Sequence, residues 1–186
     1  MELLPIDEWV NQLAALPAEK FTMPNVDEFV ARALIRPESL APYVFYATSY
    51  TRNLIYKSDL FEVLAICWDV GQQSLPHDHG GSRCWMVTPI GRLRVQNFRV
   101  EEIDEARRTC RLTPTNFFDM DADHPARVES EEPVHQVLNL PEFGERAASV
   151  HVYSRPYASC EVYDAAQGRF WTKKLNYHSE YGRRLS

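Results

Sequence analysis

The residues of this chain best suited to chemistry are two histidines separated by one residue, in the segment Pro76-His77-Asp78-His79. On a β-strand, side chains two positions apart point to the same face, so His77 and His79 can reach one metal ion while Asp78 points away. The pair alone is weak evidence, and a structural or surface role is as open as a metal-binding one. A metal site therefore needs a third ligand from elsewhere in the chain.

We predict that this third ligand is His135, which lies in the β-like segment Val134–Asn139. Strands distant in sequence meet inside a barrel, although an isolated histidine is more often a core residue bonded to the backbone. No carboxylate follows His79 in the segment Gly80–Cys84. Three neutral histidines leave a divalent ion its full charge, which favours an anionic ligand such as a thiolate but also suits zinc with a bound hydroxide.

Three further polar residues alternate with valines in Ser149-Val150-His151-Val152-Tyr153. If this segment is a strand, Ser149, His151 and Tyr153 share one face. Three hydrogen-bonding groups in register suggest a relay, and the outward polar face of a half-buried strand explains the pattern equally well.

These candidate residues lie in a β-rich body that follows a helical beginning. Ile6, Trp9, Val10 and Leu13 have the spacing of a helix face, and two or three short helices are expected in residues 1–42. From Tyr43 onward, short β-prone segments alternate with turn residues, which is typical of an antiparallel sandwich or barrel. The predicted strands are Ser49–Ile55, Phe61–Trp68, Ser74–His79, Arg83–Pro89, Gly91–Phe98, Cys110–Thr113, His124–Glu129, Val134–Asn139, Ser149–Ser154 and Glu161–Ala165. The charged run Glu101–Arg108 is expected to be a solvated loop.

Composition narrows the class of partner. The chain has 186 residues, a formal net charge of −6 and four scattered cysteines. Without a basic excess, binding to nucleic acid or to an anionic membrane is not expected. The absence of a spanning segment and the acidic residues near Met1 favour a cytoplasmic protein, and the cysteines do not indicate a disulfide framework. We expect a monomer or weak homo-oligomer that binds a small molecule.

Taken in order, His77-Asp78-His79, Cys84, His135 and Ser149-x-His151-x-Tyr153 resemble the cysteine dioxygenases of the cupin superfamily. The resemblance extends to Tyr50–Leu54, Cys67-Trp68, Cys160 and Tyr177–Ser179, and so covers about residues 43–182. It implies a mainly β fold, a cupin-type antiparallel β-barrel (jelly roll) with short N-terminal helices. Residues 1–186 would form a single cupin domain in which segment 1–42 packs on the barrel and residues 43–186 carry the metal site.

The resemblance also implies an activity and a set of roles. One iron(II) per chain would be held by His77, His79 and His135, and the enzyme would oxidise L-cysteine with O₂ to cysteine sulfinic acid. The substrate carboxylate would bind Arg52 in a pocket lined by Tyr50 and Tyr153. A thioether between Cys84 and Tyr153 would serve as a protein-derived cofactor, with Ser149 and His151 orienting the tyrosine hydroxyl.

Two departures from the family pattern bear on the pocket. Arg155 stands where a proline is found in the animal enzymes, so a cis peptide bond is not expected there, and Gly80-Gly81 would leave extra room or mobility beside the metal. The main alternative substrate is another small mercapto acid such as 3-mercaptopropionate, although Arg52 and Cys84 favour cysteine. A zinc-dependent cupin hydrolase and a non-catalytic ligand-binding cupin are the remaining alternatives.

Overall fold

The structure is a computed structural model that describes residues 2–127 and 134–185. The helices are α1 (Ile6–Ala14) and α2 (Met23–Arg32), and the strands are β1 (Glu2–Leu4), β2 (Ala33–Ile35), β3 (Thr51–Lys57), β4 (Phe61–Trp68), β5 (Arg83–Ile90), β6 (Leu93–Asp104), β7 (Thr109–Met120), β8 (Ala126–Arg127), β9 (Val134–Leu138), β10 (Ala147–Ser154), β11 (Ser159–Asp164), β12 (Arg169–Lys174), β13 (Ser179–Glu180) and β14 (Arg183–Arg184). No helix in these ranges is long and apolar enough to cross a bilayer.

Both N-terminal helices bury one apolar face against the sheet. In α1 this face includes Trp9 and Leu13, both with 0% of their surface exposed, and in α2 it includes Phe29. The Trp9 indole N–H donates to the Ala33 carbonyl at 2.8 Å, so the buried ring loses no hydrogen bond. These side chains pack with Val63 and its neighbours on β4, β5 and β10. Burying each such side chain stabilises the fold by about 2 to 3 kcal/mol, which anchors the helices on the sheet.

The body consists of two facing sheets. The larger has the order β14-β13-β3-β4-β10-β5-β8 and the smaller the order β11-β12-β7-β6-β9. The inner face of the larger sheet packs Leu64 and Met86 against Leu93 and Val137 of the smaller one. The mainly β jelly-roll prediction is confirmed. The described residues form two sheets that are not closed into a continuous barrel, and the isolated bridges of Gln73 and His77 pair the segment between β4 and β5 with β9 and β11 of the smaller sheet.

Several predicted elements differ from the observed ones. Ser74–His79 is not a strand, because within it only His77 has bridge pairing. The run Glu101–Arg108 is not simply a loop, since β6 continues through it to Asp104 and pairs with β7, and only residues 105–108 form the connecting turn. Arg111 of β7 forms ion pairs with Glu101 and Glu102 of β6. Charge pairs between the strands thus hold this part of the hairpin together, and the apolar alternation that normally predicts a strand is missing.

Two further differences concern β12 of the smaller sheet and β8 at the edge of the larger sheet. Strand β12 was not predicted, because four of its six residues are exposed and polar or charged and only Phe170 among them is buried. Of the predicted strand His124–Glu129, the structure describes β8, and residues 128 and 129 lie outside the described ranges.

Candidate active site

Three histidines converge between the two sheets. The backbones of His77 and His135 exchange hydrogen bonds of 2.9 and 3.1 Å, which sets their side chains next to each other. The His79 ring lies 5.3 Å from that of His77 and 4.8 Å from that of His135, and the potential ligand atoms all lie within 4.8 Å of one another. The two histidines of the pair thus reach the same side without a regular strand. Asp78 points away, where its Oδ1 accepts the backbone N–H of Glu161 at 2.9 Å.

The protonation of the cluster leaves nitrogen lone pairs available. His77 Nδ1 lies 2.9 Å from the Leu75 carbonyl, which can only accept, so Nδ1 carries the proton and Nε2 has the lone pair. His79 Nε2 is buried and has no hydrogen-bond partner within the described residues. Burial lowers the pKa of His77 to about 4, and burial together with the charges of the neighbouring histidines lowers that of His79. Neutral imidazoles with an orphaned buried nitrogen fit a metal ion.

The backbone conformation of the turn after His79 explains why positions 80 and 81 are glycines. Gly80 has φ 57° and Gly81 has φ 80°, a region that favours glycine. A Cβ at Gly80 would lie 3.2 Å from the carbonyl oxygen of Ser159. The expectation of extra room beside the metal is therefore corrected at Gly80, where an added Cβ would crowd the neighbouring backbone.

The polar residues of β10 form one hydrogen-bonded chain. Ser149 Oγ lies 2.8 Å from His151 Nε2, and His151 Nδ1 lies 3.0 Å from the Tyr153 hydroxyl. The Trp68 indole N–H donates to Ser149 Oγ at 3.1 Å. These side chains are almost fully buried, and burial, followed by the charge of Arg52, lowers the pKa of His151 to about 3. His151 is therefore neutral and carries one ring proton, which it can hold on either nitrogen.

Cys84 lies directly across from Tyr153 in the pairing of β5 with β10. Its sulfur is 3.9 Å from His151 Nδ1 and contacts the Tyr153 hydroxyl. Burial raises the pKa of both Cys84 and Tyr153, so both are protonated at neutral pH. The Tyr153 ring is 5.2 Å from the ring of His79, which places the pair beside the histidine cluster.

Arg52 lies on β3 with only 8% of its surface exposed, and its Cζ is 6.0 Å from the centroid of the Tyr153 ring. Its Nε and Nη2 are buried and have no hydrogen-bond partner in the described parts of the chain. Burial opposes its charge, but Tyr153, Tyr157 and Glu62 outweigh that effect and raise the pKa of Arg52. The group is therefore a preformed, permanently charged donor that still needs an anion.

The cavity beside Arg52 has a volume of about 500 Å³. Arg52 and Tyr50 line it together with His178 and Lys173. The Tyr50 ring stacks on Trp68 at 4.7 Å, so its position is fixed by packing. His178 Nδ1 accepts the backbone N–H of Arg52 at 3.1 Å and so helps to hold β3 in place.

Two residues near the site were missed in the sequence. The Tyr157 ring lies 5.1 Å from that of Tyr153 and 6.0 Å from that of His79. Its even spacing from Tyr153 was a usable signal, but Arg155 between them has φ 65°, so simple alternation does not apply there. The described chain contains no cis peptide bond, as Arg155 had suggested.

Glu62 was missed because it lies in a strand whose eight residues are all buried, and no spacing distinguishes it. It is itself fully buried, its Oε2 accepts the Tyr177 hydroxyl at 2.5 Å, and its Oε1 has no partner among the described residues. It pairs across the sheet with Tyr153, which places it on the same inner face as the site.

Comparison with known proteins agrees with this geometry. The "Cysteine dioxygenase type I" family matches residues 13–166. The "Cysteine dioxygenase type 1" of Danio rerio is 29% identical over 136 residues, which are 73% of this chain and 66% of that protein, just under two thirds of its length. The protein of the same name from Rattus norvegicus is 28% identical over 169 residues, 85% of this chain and 79% of that protein.

Among solved structures, a protein with a double-stranded β-helix domain from Klebsiella pneumoniae aligns with 67% of this chain and 94% of its own. The identity is 15% and the TM-score 0.49, and nothing about activity follows from it. The family match, in contrast, covers most of the chain and includes all three clustered histidines, Arg52, Cys84 and the polar residues of β10. The chain therefore belongs to the cysteine dioxygenase type I family, which is a family of oxidoreductases of the dioxygenase class.

Proposed function

We propose that this protein is an iron(II)-dependent thiol dioxygenase that oxidises L-cysteine with O₂ to cysteine sulfinic acid. The observation that carries the proposal is the placement of a three-histidine cluster, in which burial keeps His77 and His79 neutral, near a buried guanidinium with orphaned N–H groups. A ligand that satisfies both must combine a metal-binding group with a carboxylate. A small thiol acid has this combination.

The histidine cluster suits iron(II) with a sulfur ligand. His77, His79 and His135 would supply three neutral nitrogen donors and leave the ion its full charge. Iron(II) held there would favour the thiolate form of the substrate and provide the redox couple for reaction with O₂. The buried surroundings of His79 and His135 exclude bulk water from the two inner ligands.

Arg52 would bind the substrate carboxylate. Its planar guanidinium can donate two parallel hydrogen bonds to a carboxylate, which fixes the orientation of the thiol relative to the histidines. Tyr50 has no hydrogen-bond partner within the described residues and lines the same cavity, so its hydroxyl is available to the same ligand.

The hydrogen-bonded chain of β10 would control the direction of the Tyr153 hydroxyl. In one arrangement Tyr153 donates to His151 Nδ1, His151 Nε2–H donates to Ser149, and Ser149 donates to the Ile66 carbonyl at 3.4 Å. In the second arrangement, Ser149 donates to His151 Nε2, and His151 Nδ1–H donates to the Tyr153 hydroxyl oxygen. The hydroxyl proton of Tyr153 is then free to point into the pocket. Neither arrangement creates a buried ion, so Tyr153 can offer a hydrogen bond to a bound substrate at little electrostatic cost.

We also propose that Cys84 and Tyr153 form a thioether in part of the protein. The thiol is adjacent to the tyrosine across the strand pair. Formation of the bond between sulfur and an aromatic carbon removes one hydrogen from each residue, and these two electrons and two protons reduce one O₂ to hydrogen peroxide. The linkage would fix the Tyr153 ring beside His79.

One observation favours 3-mercaptopropionate as a second candidate substrate. The residues that line the described cavity include no carboxylate that could bind the ammonium group of cysteine. Arg52 would serve any mercapto acid equally well. Cysteine and 3-mercaptopropionate differ in the ammonium group, so comparing them tests this point directly.

The proposal is tested by measuring O₂ consumption by the iron-loaded protein with cysteine, 3-mercaptopropionate and cysteamine. The expected result is turnover of the thiol acids, with both atoms of labelled O₂ recovered in the sulfinate product. The same protein loaded with zinc should consume no O₂. No O₂ uptake with any of the thiols at full iron occupancy would refute the proposal. The remaining alternatives would then be a hydrolase and a non-catalytic ligand-binding protein.

A further inference from the structure

We propose that the mouth of the cavity is an anion-binding subsite, with Lys173 as its principal cation, that favours thiol substrates carrying a second carboxylate. This inference rests on the proposed thiol dioxygenase function and names the substrate class of the same site. It does not depend on cysteine being the preferred thiol.

The first observation is the size of the cavity. At about 500 Å³ it falls within the range of about 300–1,000 Å³ that holds drug-sized ligands. A single cysteine or 3-mercaptopropionate is far smaller than such ligands. None of the clustered histidines is among its described lining residues, and Arg52 links the two, because its Cζ is 6.0 Å from the Tyr153 ring, which lies 5.2 Å from the His79 ring. A thiol acid that extends from Arg52 to the histidines therefore leaves the cavity free for a further substituent.

The second observation is the charge of the lining. Arg52, Lys173 and Lys174 line the cavity, and no Asp or Glu is among its described lining residues. The remaining lining residues are uncharged side chains and His178, whose pKa burial lowers. The whole chain has a net charge of −6, so this concentration of positive charge is opposite in sign to the protein around it. A cleft lined by one sign of charge focuses the field and attracts the opposite charge.

The third observation is the position of Lys173. It lies on β12 directly across from Cys160 of β11, and its ammonium group is 5.9 Å from the centroid of the Tyr50 ring. Strand β11, which pairs with β12, also forms a bridge from Val162 to His77, so Lys173 lies on the strand next to one that contacts the histidine segment. Within residues 2–127 and 134–185, Lys173 forms no ion pair with a carboxylate.

These positions separate two roles. Arg52 is almost completely buried, whereas Lys173 is exposed, beside a tyrosine two positions before Arg52 in the chain. One carboxylate bound by Arg52 leaves Lys173 without an anion. A second carboxylate on the same thiol would meet Lys173 while the sulfur faces the histidines.

The test compares thiols that differ in the number of carboxylates: cysteamine with none, 3-mercaptopropionate with one and mercaptosuccinate with two. Steady-state rates of the iron-loaded protein give kcat/KM for each, and calorimetric titration under anaerobic conditions gives the affinities without turnover. We expect the wild-type protein to prefer mercaptosuccinate over 3-mercaptopropionate in both measurements, and this preference to weaken at high salt.

The variants are Lys173→Ala and Lys173→Glu, with Lys20→Ala as the matched control. Lys20 is also exposed, and it lies in the N-terminal segment that packs on the other face of the large sheet. The preference for mercaptosuccinate should fall by about 2- to 5-fold in Lys173→Ala, as expected for an exposed charge pair, and further in Lys173→Glu. It should be unchanged in Lys20→Ala.

An unchanged preference in both Lys173 variants, or an equal loss in Lys20→Ala, would overturn the subsite. If the wild-type protein oxidises cysteine or 3-mercaptopropionate but shows no preference for mercaptosuccinate, the subsite fails while the dioxygenase function stands. If no thiol is oxidised, the dioxygenase function fails, and the calorimetric preference still decides whether the subsite exists.

Discussion

Replacing Arg52 with glutamine should separate thiols that carry a carboxylate from thiols that do not. Arg52→Gln removes the positive charge but keeps a polar side chain of similar reach. We expect KM for cysteine and for 3-mercaptopropionate to rise, while KM for cysteamine, which has no carboxylate, changes little. The expected change is in KM because the proposed contact binds the carboxylate, which does not react.

The magnitude follows from the surroundings of Arg52. Its side chain is 8% exposed and two of its nitrogens have no partner in the described residues, so a substrate carboxylate would receive charge-assisted hydrogen bonds. Such bonds contribute about 1.5 to 3 kcal/mol each. Because the cavity is open to water on one side, we take a total loss of about 2 to 3 kcal/mol, which corresponds to a rise in KM of about 30- to 150-fold.

The Arg52→Gln variant also affects Glu62, a second buried charged residue, so the experiment needs a control for protein stability. Removing Arg52 takes a nearby cation away from Glu62, whose carboxylate would then rely on Tyr177 and on Lys57, 3.9 Å away. We therefore expect Arg52→Gln to lower the free energy of unfolding, and the double variant with Glu62→Gln to recover part of that loss. If the double variant is stable but keeps the raised KM for cysteine, the KM effect belongs to the lost carboxylate contact.

The assay is an oxygen-electrode titration of each thiol with protein of verified iron content. Equal rises in KM for cysteine and cysteamine would refute the assignment of Arg52 as the carboxylate group. An unchanged KM for both thiols in a well-folded variant would refute it as well.

Three other predictions follow from the same geometry. His79→Ala should bind much less iron than the wild type, because it removes a buried nitrogen donor, and full iron content by mass spectrometry of the metal would contradict the three-histidine site. After aerobic turnover with cysteine, part of the protein should be lighter by about 2 Da through loss of two hydrogens, with a linked Cys84–Tyr153 peptide that is absent in Cys84→Ser; unlinked peptides alone after extensive turnover would contradict the thioether. The pKa of His151 is about 3 in the folded state, below its unfolded value of about 6.5, so the unfolded chain binds more protons below pH 6.5. As the pH falls from 6.5 towards 3, His151 should therefore lower the free energy of unfolding of the metal-free protein by up to about 1.4 kcal/mol per pH unit. Denaturant titrations should show a smaller dependence in His151→Gln, and an unaltered slope would mean that His151 is not buried in its neutral form.

The sequence by itself determined the elements that depend on local pattern. Apolar spacing at three and four residues marks α1, and alternation marks β10, because these periods follow from backbone geometry alone. The same alternation predicted that Ser149, His151 and Tyr153 share a face, as they do in the structure. The residue types also limited the chemistry, since an HxH pair with no following carboxylate favours neutral nitrogen ligation.

Only the tertiary structure decided which of these groups meet and in what surroundings. His77 and His79 face the same side although they do not lie in a strand, because bridges to His135 and to Val162 hold the segment in an extended form. Burial of Glu62 and the approach of Lys173 to Tyr50 arise from contacts between distant segments and leave no trace in local spacing. The sign of the charge in the cavity likewise depends on which exposed residues the fold brings to one opening, and a net charge summed over the chain carries no information about it.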